Sequence, residues 1–356
     1  MTRRVVGCMT GTSLDGLDVA LVDISGQGLN MQATWQRSHA VPLGEIGPRL
    51  RALAEQQPQT AGNIAHLMRD FSLFHGEAIR TLLAGETCDL VAVHGQTVYH
   101  APPVSWQLFQ PAPLTRMLGV SVVCDLRAAD LAQGGQGAPI TPLADWILLR
   151  SAQESRVVVN LGGFCNITLL PQGAGPELIS GRDVCACNQL LDAIARHALG
   201  CAYDADGRAA LSGQALPQVT AHFSALLRQQ MASGRSLGTG DELQREVVSV
   251  AQTVIGADLA RSACQAIAET VVAASGAGRY VLAGGGTANA ALVAAFSAVC
   301  PAGACRSDDL GLPASAREAV AMAVLGALCQ DHCPITLPQV THLSRPAPIA
   351  GLWTLP

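Results

Sequence analysis

Lysine is absent from the 356-residue chain, so its 22 Lys+Arg residues are all arginines. A chain without lysine has no Walker-type phosphate loop, whose lysine reaches the phosphates. Nor does it have a Schiff-base lysine for pyridoxal or carbonyl chemistry. Charge is scarce: charged residues make up 14% of the chain, and 27 acids against 22 bases leave a net charge of −5. That balance argues against an electrostatic nucleic-acid binder. Aromatic residues are 4%, so stacking platforms are few. No uninterrupted apolar run reaches the roughly 20 residues of a membrane span. The opening Met1-Thr2-Arg3-Arg4 does not read as a secretory signal. The expectation is a reduced, cytoplasmic protein with no membrane or nucleic-acid partner.

Hydrophobic residues, by contrast, are 49% of the chain, enough to bury a large core. At roughly 100–200 residues per domain, the length points to two domains. The 12 cysteines are scattered, several inside apolar runs such as Val122-Val123-Cys124, where Cys behaves as a small hydrophobe. Cys185-Ala186-Cys187 lacks zinc-type spacing, and Cys329 and Cys333 follow an apolar helical run. Neither is read as a metal site.

Three glycine-bearing turns stand out. Val5–Met9 reads as a buried strand, Thr10-Gly11-Thr12-Ser13-Leu14-Asp15-Gly16 as a turn, and Leu17–Ile24 as a returning strand. The theme recurs about 150 residues later, at Val157–Asn160, Leu161-Gly162-Gly163 and Phe164–Leu170. Such turns let backbone N–H groups approach an anion, and Asp15 is suited to a hydrated Mg²⁺. Tyr280–Ala283 then runs into Gly284-Gly285-Gly286-Thr287-Ala288-Asn289. This is not the dinucleotide fingerprint Gly-x-Gly-x-x-Gly; it suits close approach of a flat group such as adenosine. Strands alternate with helical patterns, so the class is α/β. His94-Gly95-Gln96-Thr97 and Asp125-Leu126-Arg127 follow strand ends, where open α/β sheets bind ligands.

Together these elements resemble the actin-like ATPase and sugar kinase superfamily, whose two related, ribonuclease H-like domains clamp a nucleotide in the cleft between them. Met9–Asp18, His94–Thr97, Cys124–Arg127, Gly134–Pro139, Asn160–Gly163 and Gly284–Gly286 more specifically resemble the anhydro-N-acetylmuramic acid kinase family. The resemblance implies ATP- and Mg²⁺-dependent phosphorylation of an anhydro sugar, with water opening the 1,6-anhydro bond in a step of cell-wall recycling. It places the catalytic base at Asp183. Gly11 to Asp18 (Gly11, Thr12, Ser13, Leu14, Asp15, Gly16, Leu17 and Asp18) fall at the first phosphate turn. Asn160, Gly162 and Gly163 fall at the second, and Gly284, Gly285, Gly286 and Asn289 at the adenosine element. Gln96, Thr97, Asp125, Arg127 and Asn188 fall at the sugar, and Asp15 near Mg²⁺ through water. Domains of 1–136 and 137–336 follow, with 337–356 returning to the first, and a homodimer is implied.

The chain departs from the family pattern in three places. Asp183-Val184-Cys185-Ala186-Cys187-Asn188 replaces Asp-Thr-Gly-Pro-Gly-Asn, which predicts a different loop shape if the glycines need positive φ. Gln107-Leu108-Phe109-Gln110 loses a glycine and a carboxylate near the expected sugar pocket. Ser236–Glu242 loses an arginine. These changes keep two other functions in view: a kinase for another anhydro sugar such as levoglucosan, and a non-catalytic nucleotide-binding regulator.

Overall fold

A computed structural model describes the backbone of residues 2–232 and 241–356, and the side chains of 2–229 and 245–356. In chain order it begins β1 (Thr2–Thr10), β2 (Gly16–Ser25), β3 (Gln32–Pro42), α1 (Ile46–Ala54), α2 (Ala61–Leu83) and β4 (Leu90–Val93). Next come β5 (Gln96–Ala101), β6 (Val104–Leu108), α3 (Pro111–Leu118), β7 (Ser121–Cys124), α4 (Ala128–Ala132) and α5 (Pro142–Leu149). The middle holds β8 (Arg156–Leu161), β9 (Phe164–Leu170), β10 (Ser180–Ala186), α6 (Asn188–Ile194), α7 (Arg208–Ser212) and α8 (Pro217–Ala232). It continues through α9 (Asp241–Ala251), α10 (Gly256–Ser275), β11 (Arg279–Ala283), α11 (Ala290–Val299) and β12 (Ala304–Arg306). The chain closes with α12 (Arg317–Gln330), α13 (Pro338–Thr341) and β13 (Leu352–Thr354).

These elements form two compact units: residues 1–150, 175–180 and 316–356, and residues 151–174 and 181–315. The boundaries fall at 150/151 and 315/316, where the sequence reading has 136/137 and 336/337. A buried ion pair explains part of the difference. Arg317, at the head of α12, donates from Nε to Asp145 Oδ1 of α5 (2.9 Å) and also bonds Asp145 Oδ2 through Nη2. Both helices therefore belong to the first unit.

In the first unit the sheet order is β13-β7-β4-β1-β2-β3. β1 is antiparallel to β2 and parallel to β4, and β4 is parallel to β7. The Pro-rich tail adds β13 antiparallel to β7, Trp353 opposite Val123. One core (Leu17, Leu21, Leu50, Phe71, Ile79, Val91) packs α1 and α2 on the sheet. α12 is apolar on every side, and from Arg317 to Cys329 only Glu318 escapes full burial, the pattern of an internal helix. It lies flush on β1 because Gly7 has no side chain: a Cβ there would strike Ala319 O and Ala323 N.

The second unit repeats the plan with the order β10-β9-β8-β11-β12. β8 is antiparallel to β9 and parallel to β11, which is parallel to β12. Counting strands within each sheet, both contain the order 3-2-1-4-5, so the repeat seen in the sequence is a repeat of architecture. Its core gathers small residues of α10 (Ala263, Cys264, Ala266) against β8, α6 and α11.

Candidate active site

The first unit presents the β1–β2 turn. Leu14 N–H donates to Gly11 O (3.3 Å), and Leu14 holds φ +56°, a conformation that costs a non-glycine residue. Burial of its side chain, 8% exposed, opposes that cost. Leu14 and Leu17 both belong to the core, so what they offer a ligand is backbone. Thr12, Ser13 and Asp15 are exposed, and Ser13 Oγ donates to Asp15 Oδ1 (2.9 Å). Arg51 Nη2 donates to Ser13 O (3.0 Å) and Gln96 Nε2 to Gly11 O (3.3 Å). Gln96 is 1% exposed, and its Oε1 is buried with no protein partner. It is a ready acceptor for a ligand hydroxyl. Thr97 is joined to the hairpin through Gln107, which donates to its Oγ1 (3.3 Å).

A cluster of carboxylates lies beside this turn. Burial pushes Asp18 up to about 6, helped by the negative charges of Asp15 and Glu318. Burial also raises Glu318, with Asp145 and Asp15 adding to the rise and Arg317 and Arg127 opposing it. Glu318 was not singled out in the sequence; its one signal is a charged pair, Arg317-Glu318, heading an apolar helix. Hard oxygen donors that repel one another are suited to a hydrated Mg²⁺, which binds through one or two carboxylates and keeps its waters. Asp15, exposed in the turn, is the carboxylate that such an ion would meet through water; no group of three metal-ligating side chains lies among the described residues.

Arg127 is hydrogen-bonded to two partners of its own unit. Its Nε and Nη2 donate to His94 Nε2 (3.1 and 2.9 Å), and its Nη1 donates to Gly137 O (2.7 Å). His94 Nδ1 lies 2.7 Å from Gly95 O, so Nδ1 carries the proton and Nε2 accepts. Burial, then Arg127, hold His94 down to about 3. The pair ties the end of β4 to the glycine-rich loop at 134–139. Asp125 has φ +53°; burial raises its carboxyl, and a hydrogen bond from the Ala128 N–H lowers it.

Within the altered 107–110 segment, Leu108 and Phe109 are buried, while Gln107 is half-buried and Gln110 exposed. Phe109 is 8% exposed, with its ring 5.0 Å from His75 and 6.3 Å from Phe71. The change expected in the sugar pocket is therefore, at Phe109, a packing change.

In the second unit, the β8–β9 turn is bound to the segment that follows β10. Gly163 O accepts from Cys187 N (2.9 Å) and Gln189 N (3.2 Å), and Gly162 O accepts from Asn188 N (3.1 Å). Asn188 Nδ2 donates to Leu161 O (3.4 Å). Asp183 lies exposed on β10, the edge strand, not at a helix N-cap; Cys187 occupies the N-cap of α6. Cys187 has φ −125°, and Cys185 lies within β10. In this chain neither cysteine holds a positive φ. Both thiols are buried and hydrogen-bond Cys165 of β9.

Gly284 and Gly286 abut the same turn. A Cβ on Gly284 (φ +87°) would sit 2.8 Å from Asn160 Oδ1, and one on Gly286 2.9 Å from Leu161 O. Asn160 Oδ1 is buried without a protein partner, while Gly285 has open space above it. A close-packed glycine cradle with an orphaned polar atom fits a nucleotide. Asn289 is a helix cap, its Oδ1 accepting from Leu292 N (3.0 Å). Ser236 to Gly240 lie outside the described residues, as do the side chains of Asp241 and Glu242.

Two sheets that share the order 3-2-1-4-5, each with a glycine turn after its first strand, have the duplicated α/β architecture of the actin-like ATPase fold. The anhydro-N-acetylmuramic acid kinase family model matches residues 3–353. An anhydro-N-acetylmuramic acid kinase from Salinibacter ruber is 31% identical, over 98% of this chain and 96% of that one. One from Bordetella pertussis is 34% identical, over 98% and 95%. Among solved structures, the activator of the 2-hydroxyisocaproyl-CoA dehydratase from Clostridium difficile is 12% identical with TM-score 0.49, over 91% and 94%. The chain belongs to the anhydro-N-acetylmuramic acid kinase family.

Proposed function

We propose that the protein uses ATP to phosphorylate O6 of 1,6-anhydro-N-acetylmuramic acid while water opens the 1,6-anhydro bridge. The products are N-acetylmuramic acid 6-phosphate and ADP. The observation that supports this most is the family match across residues 3–353, with Asp183 exposed on its edge strand.

In this reading the Asp183 carboxylate takes a proton from the water that attacks the anomeric carbon, as the base of an inverting glycosidase does. The bond from that carbon to O6 breaks, and O6 bonds to the γ-phosphorus. Phosphoryl transfer asks mainly for positioning and charge stabilisation. The Gly11–Asp15 and Leu161–Gly163 turns supply backbone donors for the phosphates, and the Gly284–Gly286 cradle receives the adenosine. Asp15 would hold a hydrated Mg²⁺ through its waters, and the ion neutralises phosphate charge when bound. Gln96, Thr97, Arg127 and Asn188 are the sugar-side groups. With Phe109 in the core, its change lends no support to levoglucosan as the substrate.

Asp183→Asn keeps the shape of the side chain and removes the base. Turnover of the anhydro sugar should fall by about 10²–10⁴-fold, while ADP binding by calorimetry stays unchanged. A variant that turns over at the wild-type rate would overturn the assignment.

A further inference from the structure

The glycine-rich loop at 134–139 is held by a buried carboxylate that the reaction above does not use. Asp130 of α4 is 0% exposed. Its Oδ2 accepts from Gly137 N (2.7 Å), and its Oδ1 accepts from Thr341 Oγ1 of α13 (2.8 Å). The backbone repeats the arrangement. Asp130 O accepts from Gly135 N (2.9 Å), and Thr341 O accepts from Gln136 N (2.8 Å). A carboxylate taken out of water is kept only where donors replace its hydration. Here an amide of the loop and a hydroxyl near the chain's end supply them. The approach is close: a Cβ on Gly135 would strike Asp130 Oδ2.

Gly137 is thereby gripped at both of its polar groups. Its N–H donates to Asp130, and its carbonyl accepts from Arg127 Nη1 (2.7 Å). Arg127 is the N-cap of α4 and Asp130 lies in the first turn, so both contacts come from one short, rigid stretch. The other donors of the guanidinium go to His94 Nε2, and His94 Nδ1 donates to Gly95 O (2.7 Å). A continuous line of hydrogen bonds runs from Thr341 through Asp130, Gly137, Arg127 and His94 to Gly95. A guanidinium is a planar fork. With Nη1 on one anchor and Nε and Nη2 on another, its plane is set, and loosening Gly137 O removes one of the two anchors.

We propose that Asp130 and Thr341 are positioning residues for Arg127: they fix Gly137 O and, through it, the orientation of the guanidinium. The segment of the chain at Thr341 is then part of the frame of the site, although it lies some 200 residues from the loop that it holds. That this orientation serves sugar binding rests on the anhydro-sugar kinase reading. Pre-set groups bind without first being ordered, so a loosened Arg127 costs sugar affinity and leaves the nucleotide unaffected.

The test separates the hydroxyl of Thr341 from its bulk. Thr341→Val keeps the shape and removes the donor; Thr341→Ser keeps the donor and removes a methyl group. Asp130→Asn keeps the shape and turns one acceptor into a donor. Two readouts apply to each variant: calorimetric binding of 1,6-anhydro-N-acetylmuramic acid and of ADP, and the NMR signal of His94 Nε2 in histidine-labelled protein. Arg127→Met marks the signal of an Nε2 that has lost its donor. Thr341→Val and Asp130→Asn should move the His94 signal toward that mark and weaken the sugar about tenfold, the size of one hydrogen bond to a charged group. ADP binding should hold, and Thr341→Ser should resemble wild type. Residues that act through one another are not additive, so Thr341→Val should weaken the sugar no further in the Arg127→Met background. An unmoved His94 signal, an equal further loss in that background, or a Thr341→Ser as impaired as Thr341→Val would overturn the inference. A moved signal in a protein whose wild type does not bind the sugar would uphold the positioning of Arg127 and overturn the kinase reading instead.

Discussion

His75 shows how a single side chain in the first unit converts burial into pH dependence. It is 1% exposed, its Nδ1 lies 2.8 Å from Phe71 O, and Phe71 and Phe109 flank its ring. Burial holds it down to about 4. A histidine lowered in the folded state contributes fully above its unfolded value of about 6.5, and that contribution is lost as pH falls toward 4. The loss amounts to on the order of 3 kcal/mol. His75→Leu should flatten this limb, so that melting temperature falls less steeply from about pH 6.5 to about pH 4 than in wild type. Parallel curves would contradict the assignment. Residue identity in the sequence was informative at the turns, since a strand ending in glycine and hydroxyl residues has few other uses. It was uninformative at Glu318, which reaches the turn only through the packing of a helix some 300 residues away. At Cys185 and Cys187 it predicted a reshaped loop. The thiols fill the second core, and the φ of −125° at Cys187 is one a side chain can adopt.

Among the elements, α12 on β1 is the contact that places Glu318 beside the first turn. Gly7 faces backbone atoms of α12, Ala319 O and Ala323 N, which cannot swing away as a side chain can. Gly7→Ala should therefore destabilise by about 1–3 kcal/mol or more, the cost of overpacking, and weaken Mg²⁺-dependent activity at temperatures where the fold persists. Unchanged urea and thermal midpoints would show that α12 can shift freely. The β1–β2 and β8–β9 hairpins were legible because apolar runs bounded by Gly are strong strand signals. The β5–β6 hairpin and β10 were not. The first is a two-stranded ribbon apart from the main sheets, with exposed Tyr99, Val104 and Trp106. The second has adjacent exposed and then adjacent buried residues, so neither shows clean alternation.

For the molecule as a whole, one sheet order occurs twice, once in each unit. The first unit holds the carboxylate cluster and the His94–Arg127 pair, and the second holds Asp183 and the glycine cradle. The repeat was visible in the sequence, yet the unit boundaries were not. The chain re-enters the first unit at 175–180 and again at 316, and α5 is claimed by a buried ion pair with a residue 172 positions away. Local patterns carry no record of such a pairing. If one enzyme joins hydrolytic ring opening to phosphoryl transfer, the origin of the product's oxygens records it. The protein would be incubated with ATP, Mg²⁺ and 1,6-anhydro-N-acetylmuramic acid in heavy-oxygen water, and the product read by mass spectrometry with fragmentation. The expected product is a sugar 6-phosphate heavier by one phosphoryl group and one water, with the label on the anomeric carbon and none in the phosphate. Labelled inorganic phosphate with intact anhydro sugar, or a phosphorylated sugar without the label at that carbon, would contradict it.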